Sequence, residues 1–416
     1  MRIFKFGGAS VKDAQGVKNV VRVLKKTGFS DVLIVVSAMG KMTNAFEKIT
    51  DAYFYKKEEL AQLIAAAHSF HTGILDRLFK DRQHAVYQEV AQLFLQLEGF
   101  LVRNRSTDYD YVYDQIVSTA ELLSSKIVSR YLNETGIANQ WLDVRDCIRT
   151  DNDFRDAKVD WLVTEQLILK HVEQATLYIT QGFIAKDNYD HTTTLGREGS
   201  DYTAGIFAYC LNAESLTIWK DVPGVLNADP RYFADHRLLE QISYTEAIEL
   251  AFYGASVIHP KTLQPLQKKE IPLYVRSFED TAQRGTVVTR GSKILPEVPC
   301  FIVKKDQILL SLSTLDFSFI VEQNISKIFG LLHTYKMKVN VIQNSAISFS
   351  VCMEDKYLNF EHLLSAIKGE FRAEYFKGVT LYTVRHFDES AVMAIEKGHK
   401  ILLKQITKDT VQLIIE

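Results

Sequence analysis

The chain has 416 residues, 47% of them hydrophobic, and its 49 Lys and Arg residues nearly balance its 51 Asp and Glu residues. This length exceeds what one hydrophobic core usually serves, so two or three domains are expected. The near-neutral charge argues against nucleic acid or an anionic membrane surface as the main partner.

The positions of the cysteines and the N-terminal sequence limit the kinds of protein that the chain can be. The cysteines are scattered, at Cys147, Cys210, Cys300 and Cys352, and form neither a CxxC pair nor a metal-ligand spacing with His. Neither a disulfide framework nor a zinc site is therefore predicted. The N-terminus enters a strand-like run without an apolar signal segment, and no stretch approaches the roughly 20 apolar residues of a membrane span. We expect a cytoplasmic protein.

Short β-rich runs alternate with helical periodicity over residues 1–290. Strands are predicted at residues 2–6, 32–37, 137–143, 176–182, 215–220 and 273–276, and helices at residues 17–25 and 115–131 among others. Strands separated by helices are typical of a mainly parallel sheet covered on both faces. Residues 56–102 lack a strand signal and are rich in Ala, Leu, Gln and Glu, which predicts a helical insertion acting as a lid or a subunit contact.

The alternation changes near residue 295, where glycines and prolines punctuate the chain. Beyond this point a β-α-β-β-α pattern is predicted at residues 307–312, 325–335, 339–342, 347–352 and 360–371. A shorter unit follows at residues 380–385, 390–397, 401–404 and 411–415. We therefore predict a large α/β domain over residues 1–293 and a weak repeat of two small α+β units over residues 300–416, the second one truncated.

The segment KFGGAS at residues 5–10 ends the first predicted strand. Adjacent glycines let the backbone approach a phosphate and point N–H groups at it, and a helix start behind them adds positive potential. Lys5 adds a cation that can neutralise a transferred group. A tight βα turn with a surface lysine explains the same residues. The chain contains no GxxxxGK(S/T) motif, so a Walker-type phosphate site is not predicted.

The segment VVSAMGKMTN at residues 35–44 leads from a buried apolar strand into small and hydroxyl-bearing residues. Because α/β sheets bind ligands at the carboxyl ends of their strands, Thr43 is a candidate binding residue. A strand-to-helix loop with Thr43 or Asn44 as the helix N-cap is the alternative interpretation.

The segment TAELLSS at residues 119–125 places the Glu121 carboxylate at an expected helix start. A carboxylate there is usually a capping or dipole partner, although it can also meet a substrate ammonium group. The segment alone does not decide between the two.

The segment TTTLGREGSDYT at residues 192–203 is the most informative. A Gly-rich and hydroxyl-rich loop enters a helix at Ser200 and Asp201. The Arg197 fork suits a carboxylate or phosphate, and Asp201 near a helix N-terminus can orient a lysine or a metal. A capped loop with a solvated Arg–Glu pair is the alternative, but so many special residues in one short segment favour a functional site.

Two later segments are weaker. WKDVPGV at residues 219–225 and ADPR at residues 228–231 combine a strand end with turn signals, which suits either a nucleotide edge or a surface corner. FYGASVIHPKT at residues 252–262 places Pro260 at a helix N1 position. His259 alone is more typical of a packed structural histidine than of a base.

Taken in order, these segments resemble the aspartate kinases of the amino acid kinase family over essentially the whole chain. The resemblance is carried by KFGG at residues 5–8, LGREGSDYTA at 195–204, DVPGV with DPR at 221–231, WLDVR at 141–145 and DFRDAKVDW at 153–161. It implies a carbamate kinase-like three-layer α/β sandwich with a mainly parallel sheet, followed by tandem ferredoxin-like α+β ACT domains. It also implies transfer of the γ-phosphate of ATP to the β-carboxylate of L-aspartate, with Mg2+, as the first step of lysine, threonine and methionine synthesis.

The resemblance assigns roles residue by residue. Contacts to ATP are implied for Lys5, Gly7, Gly8, Ser10, Lys220, Asp221, Leu226, Asp229, Arg231 and Ser256. Contacts to aspartate are implied for Thr43, Glu121, Arg197, Glu198, Gly199, Ser200 and Asp201. Lys5 and Asp201 are the implied catalytic residues. Arg197 would pair with a substrate carboxylate, and Glu121 would face the α-ammonium group. No side chain is implied as a metal ligand.

The sequence also departs from the family pattern. Ala9 stands where Thr is usual, Glu198 where Gly is usual, and Ser256 where Lys is frequent. We expect Glu198 to point outward. In the C-terminal part, residues 320–324 replace a Gly-containing loop and Asn340 stands where Asp is common, which argues against feedback by lysine. The family still implies an amino acid effector at the ACT domains and a homodimer or higher homo-oligomer, without a nucleic acid or membrane partner.

Two alternatives stay open at this point. The first is another enzyme of the same fold, such as an acetylglutamate or uridylate kinase, against which the ACT-like tail and the LGREGSDYTA segment argue. The second is a catalytically silent amino acid sensor, against which the intact Lys5, Arg197 and Asp201 argue.

Overall fold

The computed structural model describes residues 1–255, 258–291, 293–316 and 318–416. The contacts group the chain into two compact units. The first comprises Met1–Val225, Leu238–Ile248 and Val257–Ile294, and the second comprises Leu226–Arg237, Glu249–Ser256 and Leu295–Glu416. Two short segments upstream of residue 295 thus belong to the second unit, and no sequence signal indicated this. The division into residues 1–293 and 300–416 stays a sequence-based prediction.

The strands of the first 294 residues build one large sheet and smaller pairs. They are β1 (Arg2–Phe6), β2 (Val32–Val36), β3 (Gln140–Leu142), β4 (Tyr178–Gln181), β5 (Ile184–Lys186), β6 (Thr192–Thr194), β7 (Ser215–Lys220), β8 (Val225–Leu226), β9 (Leu238–Leu239), β10 (Gln241–Ser243), β11 (Leu273–Ser277) and β12 (Thr286–Thr289). The large sheet has the order β10-β12-β11-β7-β1-β2-β4-β3. Its neighbours pair in parallel except β11 and β12. All strands predicted for this region lie in this sheet, so the predicted α/β class is confirmed.

Helices connect these strands. They are α1 (Ala14–Thr27), α2 (Met42–Phe54), α3 (Leu60–Leu78), α4 (Ala85–Arg103), α5 (Tyr109–Glu134), α6 (Trp161–His171), α7 (Gly199–Cys210), α8 (Tyr244–Tyr253) and α9 (Pro260–Lys269). Helices α3 and α4 confirm that residues 56–102 are mainly helical, whereas their role as a lid or a subunit contact stays a prediction. Thr43 and Asn44 lie inside α2, whose N-cap is Lys41, so the prediction that one of them caps this helix was wrong. Among the described residues, no helix is both long and apolar enough to cross a membrane.

Hydrophobic patterning explains why the sheet forms where it does. Every residue of the VLIVV strand β2 is buried, as expected for an inner strand of a parallel sheet. Helix α1 places Val17, Val20 and Leu24 on one buried face, and the spacing of these residues matches the helical period. The Asp13 side chain caps this helix by accepting a 2.8 Å hydrogen bond from the Gly16 N–H.

The second unit contains an antiparallel sheet with helices. Its elements are β13 (Cys300–Thr314), α10 (Glu322–Thr334), β14 (Lys338–Asn344), β15 (Ser348–Glu354), α11 (Phe360–Ile367), β16 (Phe371–Arg385), α12 (Glu389–Glu396), β17 (Ile401–Ile406) and β18 (Thr410–Ile415). The strand order is β14-β15-β13-β16-β18-β17. This arrangement confirms the predicted pair of small α+β units, which share the long central pair β13 and β16.

One element of this unit differs from the prediction. The helix expected at residues 360–371 ends at Ile367, and the strand expected from residue 380 begins at Phe371. Gly369 has a φ of 94°, which L-residues rarely adopt, and marks the change from helix to strand. The early part of β16 then pairs with β13, so long-range pairing overrides the local helical pattern.

Asn340, for which the family pattern commonly has Asp, is engaged within the second unit. Its Oδ1 accepts a 2.8 Å hydrogen bond from Lys304 Nζ, and its Nδ2 donates a 2.7 Å hydrogen bond to Gln307 Oε1. Burial lowers the pKa of Lys304 to about 8, with a further contribution from nearby Lys338. The amide that replaces the usual acid is therefore part of an internal polar network.

The burial of β2 gives a stability prediction. Replacing Ile34→Ala removes a fully buried side chain and is expected to lower the free energy of unfolding by about 2–5 kcal/mol, because a cavity adds to the lost transfer energy. The matched control is Leu162→Ala, since Leu162 is 68% exposed, and it should change stability by less than about 1 kcal/mol. Urea denaturation followed by circular dichroism measures both. Equal losses in the two variants would contradict the assigned core.

Candidate active site

The site forms where three parallel strands end. In the sheet Phe6 of β1 is aligned with Val36 of β2 and with Trp219 of β7, so these carboxyl ends lie side by side. This edge is the usual ligand position in parallel α/β sheets. A cavity of about 350 Å³ opens here, lined by Lys5, Gly8, Ser37, Ala38, Gly40, Thr43, Glu121, Phe183, Gly196, Glu198, Gly199, Ser200, Asp201 and Lys220.

A carboxylate with two lysines forms the charged centre of the cavity. Asp201 lies in the first turn of α7 and is 3% exposed. Its Oδ1 is 2.6 Å from Lys5 Nζ, and its Oδ2 is 3.7 Å from Lys220 Nζ. Burial alone would raise the pKa of Asp201, but the two ammonium groups outweigh burial and keep this pKa below its usual value. Two cations around one anion leave a net positive charge, which suits an anionic ligand.

The glycines after β1 allow a close backbone approach. A Cβ at Gly8 would lie 2.8 Å from the Gly40 carbonyl oxygen and 2.9 Å from that of Ala38, distances that real Cβ atoms do not adopt. The Gly8 carbonyl also accepts a 3.0 Å hydrogen bond from the Gly40 N–H. The loops after β1 and β2 therefore touch through backbone atoms, and only Gly at residue 8 permits this.

Glu121 is a buried acid that lines the same cavity. It lies in the middle of α5, so the expectation that it marks a helix start was wrong. Its side chain is 2% exposed, and its Oε2 accepts no hydrogen bond from the described residues. Burial raises the pKa of Glu121 to about 8, although the Ala38 N–H and Lys5 oppose this shift. A buried acid with an unsatisfied oxygen at a cavity wall is suited to receive a cationic group.

Helix α5 also fixes the loop that carries the most informative motif. Asp114 is completely buried; its carboxylate accepts hydrogen bonds from the Thr194 N–H at 2.8 Å, the Thr194 hydroxyl at 2.7 Å and the Arg155 N–H at 3.0 Å. These bonds hold β6 just before the loop at residues 195–199. The sequence analysis missed Asp114, because an acid in a long helix carries no local signal of its distant partners.

Phe183 was also missed, although it lines the cavity. It follows β4, the parallel neighbour of β2, so the strand-end rule that singled out residues 35–44 applies to it equally. The preceding Gly182 is tightly packed, since a Cβ there would lie 2.4 Å from the Ser200 Cβ. This contact places the start of α7 against the end of β4.

The structure brings together some predicted site residues and not others. Those that line the cavity are Lys5, Gly8, Thr43, Glu121, Glu198, Gly199, Ser200, Asp201 and Lys220. Gly7, Ser10, Arg197 and Asp221 do not line it. Ser10 is buried, and its hydroxyl donates a 3.2 Å hydrogen bond to the Trp219 carbonyl, which joins the loop after β1 to β7. Arg197 is exposed.

The other residues predicted to contact the nucleotide do not belong to the first unit. Leu226, Asp229 and Arg231 belong to the second unit. There Arg231 Nε is 3.0 Å from Asp229 Oδ1, so these two side chains pair with each other. Ser256 lies outside the described residues.

Glu198 differs from its expected orientation. The sequence analysis expected it to point outward, but it lines the cavity, and its Oε2 is buried. The expectation was wrong because the backbone of Glu198 adopts the left-handed conformation, with a φ of 53° and a ψ of 30°. No sequence rule predicts that conformation for Glu.

The burial of Glu121 gives a pH-dependent stability prediction. The folded-state pKa of about 8 lies above the ordinary value of 4.5, so the contribution of Glu121 to stability is complete below pH 4.5 and is lost as the pH rises to about 8. The variant Glu121→Gln lacks this loss. We expect it to have the same Tm as the unmodified protein near pH 4.5 and a Tm several degrees higher at pH 8.5.

Thermal unfolding between pH 4.5 and pH 8.5 measures this effect. The control is Glu98→Gln, an exposed acid on α4, which should follow the unmodified protein at every pH. Parallel curves for Glu121→Gln and the unmodified protein would contradict the assigned burial.

Comparison with known proteins places this geometry in a family. The Amino acid kinase family matches residues 1–277. The lysine-sensitive aspartokinase 3 of Escherichia coli (strain K12) is 30% identical over 410 residues, which cover 95% of this chain and 89% of that protein.

Solved structures agree with the sequence match. The chain resembles E. coli aspartokinase III in complex with lysine and aspartate (T-state) with a TM-score of 0.85, at 27% identity, covering 100% of this chain and 95% of that one. It resembles the same enzyme in complex with aspartate and ADP (R-state) with a TM-score of 0.81, at 27% identity, covering 100% and 96%. The chain belongs to the amino acid kinase family and, within it, to the aspartate kinases.

Proposed function

We propose that the enzyme transfers the γ-phosphoryl group of ATP to the β-carboxylate of L-aspartate, giving 4-phospho-L-aspartate and ADP. The observation that carries this proposal is the Lys5–Asp201–Lys220 cluster at the strand-end cavity. The related E. coli enzyme with bound aspartate and ADP supports the choice of substrates. The product would enter the synthesis of lysine, threonine and methionine.

Lys5 contacts the phosphoryl group in transfer. Its ammonium group is held by Asp201 before substrate arrives, so little reorganisation is needed when charge develops on the phosphate oxygens. The tight backbone contact at Gly8 brings main-chain groups to the same edge. Lys220, Asp221, Leu226, Asp229 and Arg231 are the remaining proposed nucleotide contacts, together with Gly7, Ser10 and Ser256.

The acceptor amino acid occupies the side of the cavity lined by Thr43, Glu121, Gly199 and Ser200. Glu121 faces the α-ammonium group, which supplies the partner that its Oε2 lacks. Arg197 is exposed and reaches the α-carboxylate only when its side chain turns toward the cavity. Its bidentate fork suits that group.

The chemistry needs positioning rather than a base. The β-carboxylate of aspartate is already ionised at neutral pH, so no proton has to be removed before it attacks. Catalysis then depends on in-line placement and charge neutralisation. Mg2+ enters with ATP as part of the substrate and neutralises phosphate charge. Among the described residues no group of three His, Cys, Asp or Glu side chains is arranged to hold a metal, which fits an ion held by phosphates and water.

Hydroxylamine trapping of the acyl phosphate tests the reaction. The enzyme is incubated with MgATP and one acceptor, and we expect hydroxamate with L-aspartate but not with L-glutamate or N-acetyl-L-glutamate. Product only with the last two acceptors would identify a different kinase of this fold. No product with any acceptor would favour a silent sensor.

We further propose that the second unit binds an amino acid effector and supports assembly of a homodimer or higher homo-oligomer. The relative solved with lysine motivates the first part, whereas the internal Lys304–Asn340 contact argues against lysine as the effector here. The hydroxamate assay repeated with added lysine, threonine or methionine tests regulation. Light scattering measures the oligomeric state.

The role of Lys5 gives an activity prediction. Lys5→Ala removes the cation beside the transferred group and should lower kcat about 100-fold or more, with a smaller change in KM for aspartate. The control is Lys18→Ala, an exposed lysine on α1, which should retain full activity. A Lys5→Ala enzyme that folds and keeps its kcat would contradict the assignment.

The backbone contact at Gly8 gives a second activity prediction. Gly8→Ala places a methyl group against the Gly40 and Ala38 carbonyl oxygens, so the loops must separate and phosphate contacts are lost. We expect kcat/KM for ATP to fall about 10-fold to 100-fold. Gly73→Ala is the matched control, because a Cβ at that helical position meets nothing within 4 Å. Equal activity in both variants would show that the close approach is not needed.

A further inference from the structure

Glu198 has a backbone conformation that folding alone does not favour. It has a φ of 53°, in the left-handed region that Gly and Asn tolerate and that disfavours a side chain such as Glu. Other non-Gly residues of the described chain also have a positive φ, Glu270 at the end of α9 among them, so the conformation alone does not mark a functional residue. Glu198 differs from Glu270 in lining the cavity. The contacts of the Glu198 side chain then decide what role it can have.

The Glu198 side chain does not cap the helix that follows it. Glu198 occupies the N-cap position of α7 but makes no capping hydrogen bond, although N-cap side chains usually bond to the first N–H groups of a helix. Its Oε2 is buried and accepts no hydrogen bond from the described residues. A buried carboxylate oxygen without a partner is costly, so the free enzyme lacks the group that this oxygen suits.

The cavity shows which kind of group is missing. Glu198 and Glu121 line the same cavity of about 350 Å³, and each has a buried, unpartnered Oε2. The cavity volume is near the lower end for small-ligand sites, so a bound amino acid would contact several of the lining residues at once. Lys5 and Lys220 both contact Asp201. The two glutamates therefore present acceptor atoms for a cation brought in by a ligand.

The ligands of the proposed reaction bring two cations, the α-ammonium group of aspartate and the Mg2+ that accompanies ATP. ATP and both carboxylates of aspartate are anionic, and Glu198 would repel them. The α-ammonium group is the cationic part of the acceptor. The Mg2+ stays with the phosphates that hold it, whereas Glu198 shares the cavity wall with Glu121, the group proposed to face the acceptor amine.

We propose that Glu198 is a second carboxylate for the α-ammonium group of the acceptor, acting with Glu121, and that it makes the enzyme select acceptors with a free amine. This inference rests on the proposed function and adds a specificity residue to it. In this proposal the left-handed backbone of Glu198 directs its side chain into the cavity. The same backbone conformation therefore accounts for the local strain and for the preference for acceptors with an amine.

The test compares L-aspartate with succinate, which keeps both carboxylates and lacks the amine. In the Glu198→Gln variant, kcat/KM for aspartate should fall about 10-fold to 100-fold, the usual worth of a hydrogen bond to a charged group, mainly through KM. The value for succinate should not fall, since succinate has no amine contact to lose and the repulsion of its carboxylates is removed. Glu198→Gly should narrow the aspartate-to-succinate ratio in the same way and raise the Tm, because Gly relieves the strain. The control is again Glu98→Gln, which should leave the ratio intact.

Three results would overturn the inference. They are an unchanged aspartate-to-succinate ratio in both Glu198 variants, faster turnover of aspartate in both, or an unchanged ratio with a higher Mg2+ requirement, which would make Glu198 a metal ligand. Calorimetry measures the affinities for aspartate and succinate, and their ratio tests the same preference without turnover. If the unmodified enzyme is inactive with aspartate, the proposed function fails, and the calorimetric ratio still decides the role of Glu198.

Discussion

The pairing of Asp201 with Lys5 and Lys220 is the interaction on which the site depends. Lys5 belongs to β1, Lys220 ends β7, and Asp201 is in the first turn of α7. One buried carboxylate thus joins two strands and a helix that are far apart in sequence. A buried charge is tolerated only when it is compensated. The compensation fixes the position of the Lys5 ammonium group, which the proposed mechanism places against the phosphoryl group.

The site also contains acidic side chains without a full set of hydrogen-bond partners. Glu121 and Glu198 each keep a buried oxygen without a partner in the described residues, and for Glu121 burial raises the pKa to about 8. Such groups lower the stability of the free protein. The missing partner also suits both residues to ligand binding, since an entering cation would compensate for the free-energy cost of their desolvation. Stability and recognition therefore oppose each other at these two residues.

Sequence reasoning recovered the elements whose signals are local. Six of the eight strands of the large sheet follow from short β-rich runs, whereas β10 and β12 were not predicted. The Gly-rich loop predicts α7, and the residue types of Lys5 and Asp201 single them out without knowledge of their contact. What it missed depends on distant partners. The orientation of Glu198 follows from a backbone conformation unusual for its type, the role of Asp114 from bonds to Thr194 and Arg155, and the early start of β16 from pairing with β13.

Helix α5 carries two acidic residues with different roles. Asp114 holds β6 in place and Glu121 lines the cavity, seven residues further on, which is about two turns or ~10 Å along the axis. An insertion or deletion of one residue between them would rotate Glu121 by roughly 100° relative to Asp114. The number of residues between these two acids therefore sets the direction in which Glu121 points, and a change in this number would move Glu121 away from the cavity wall.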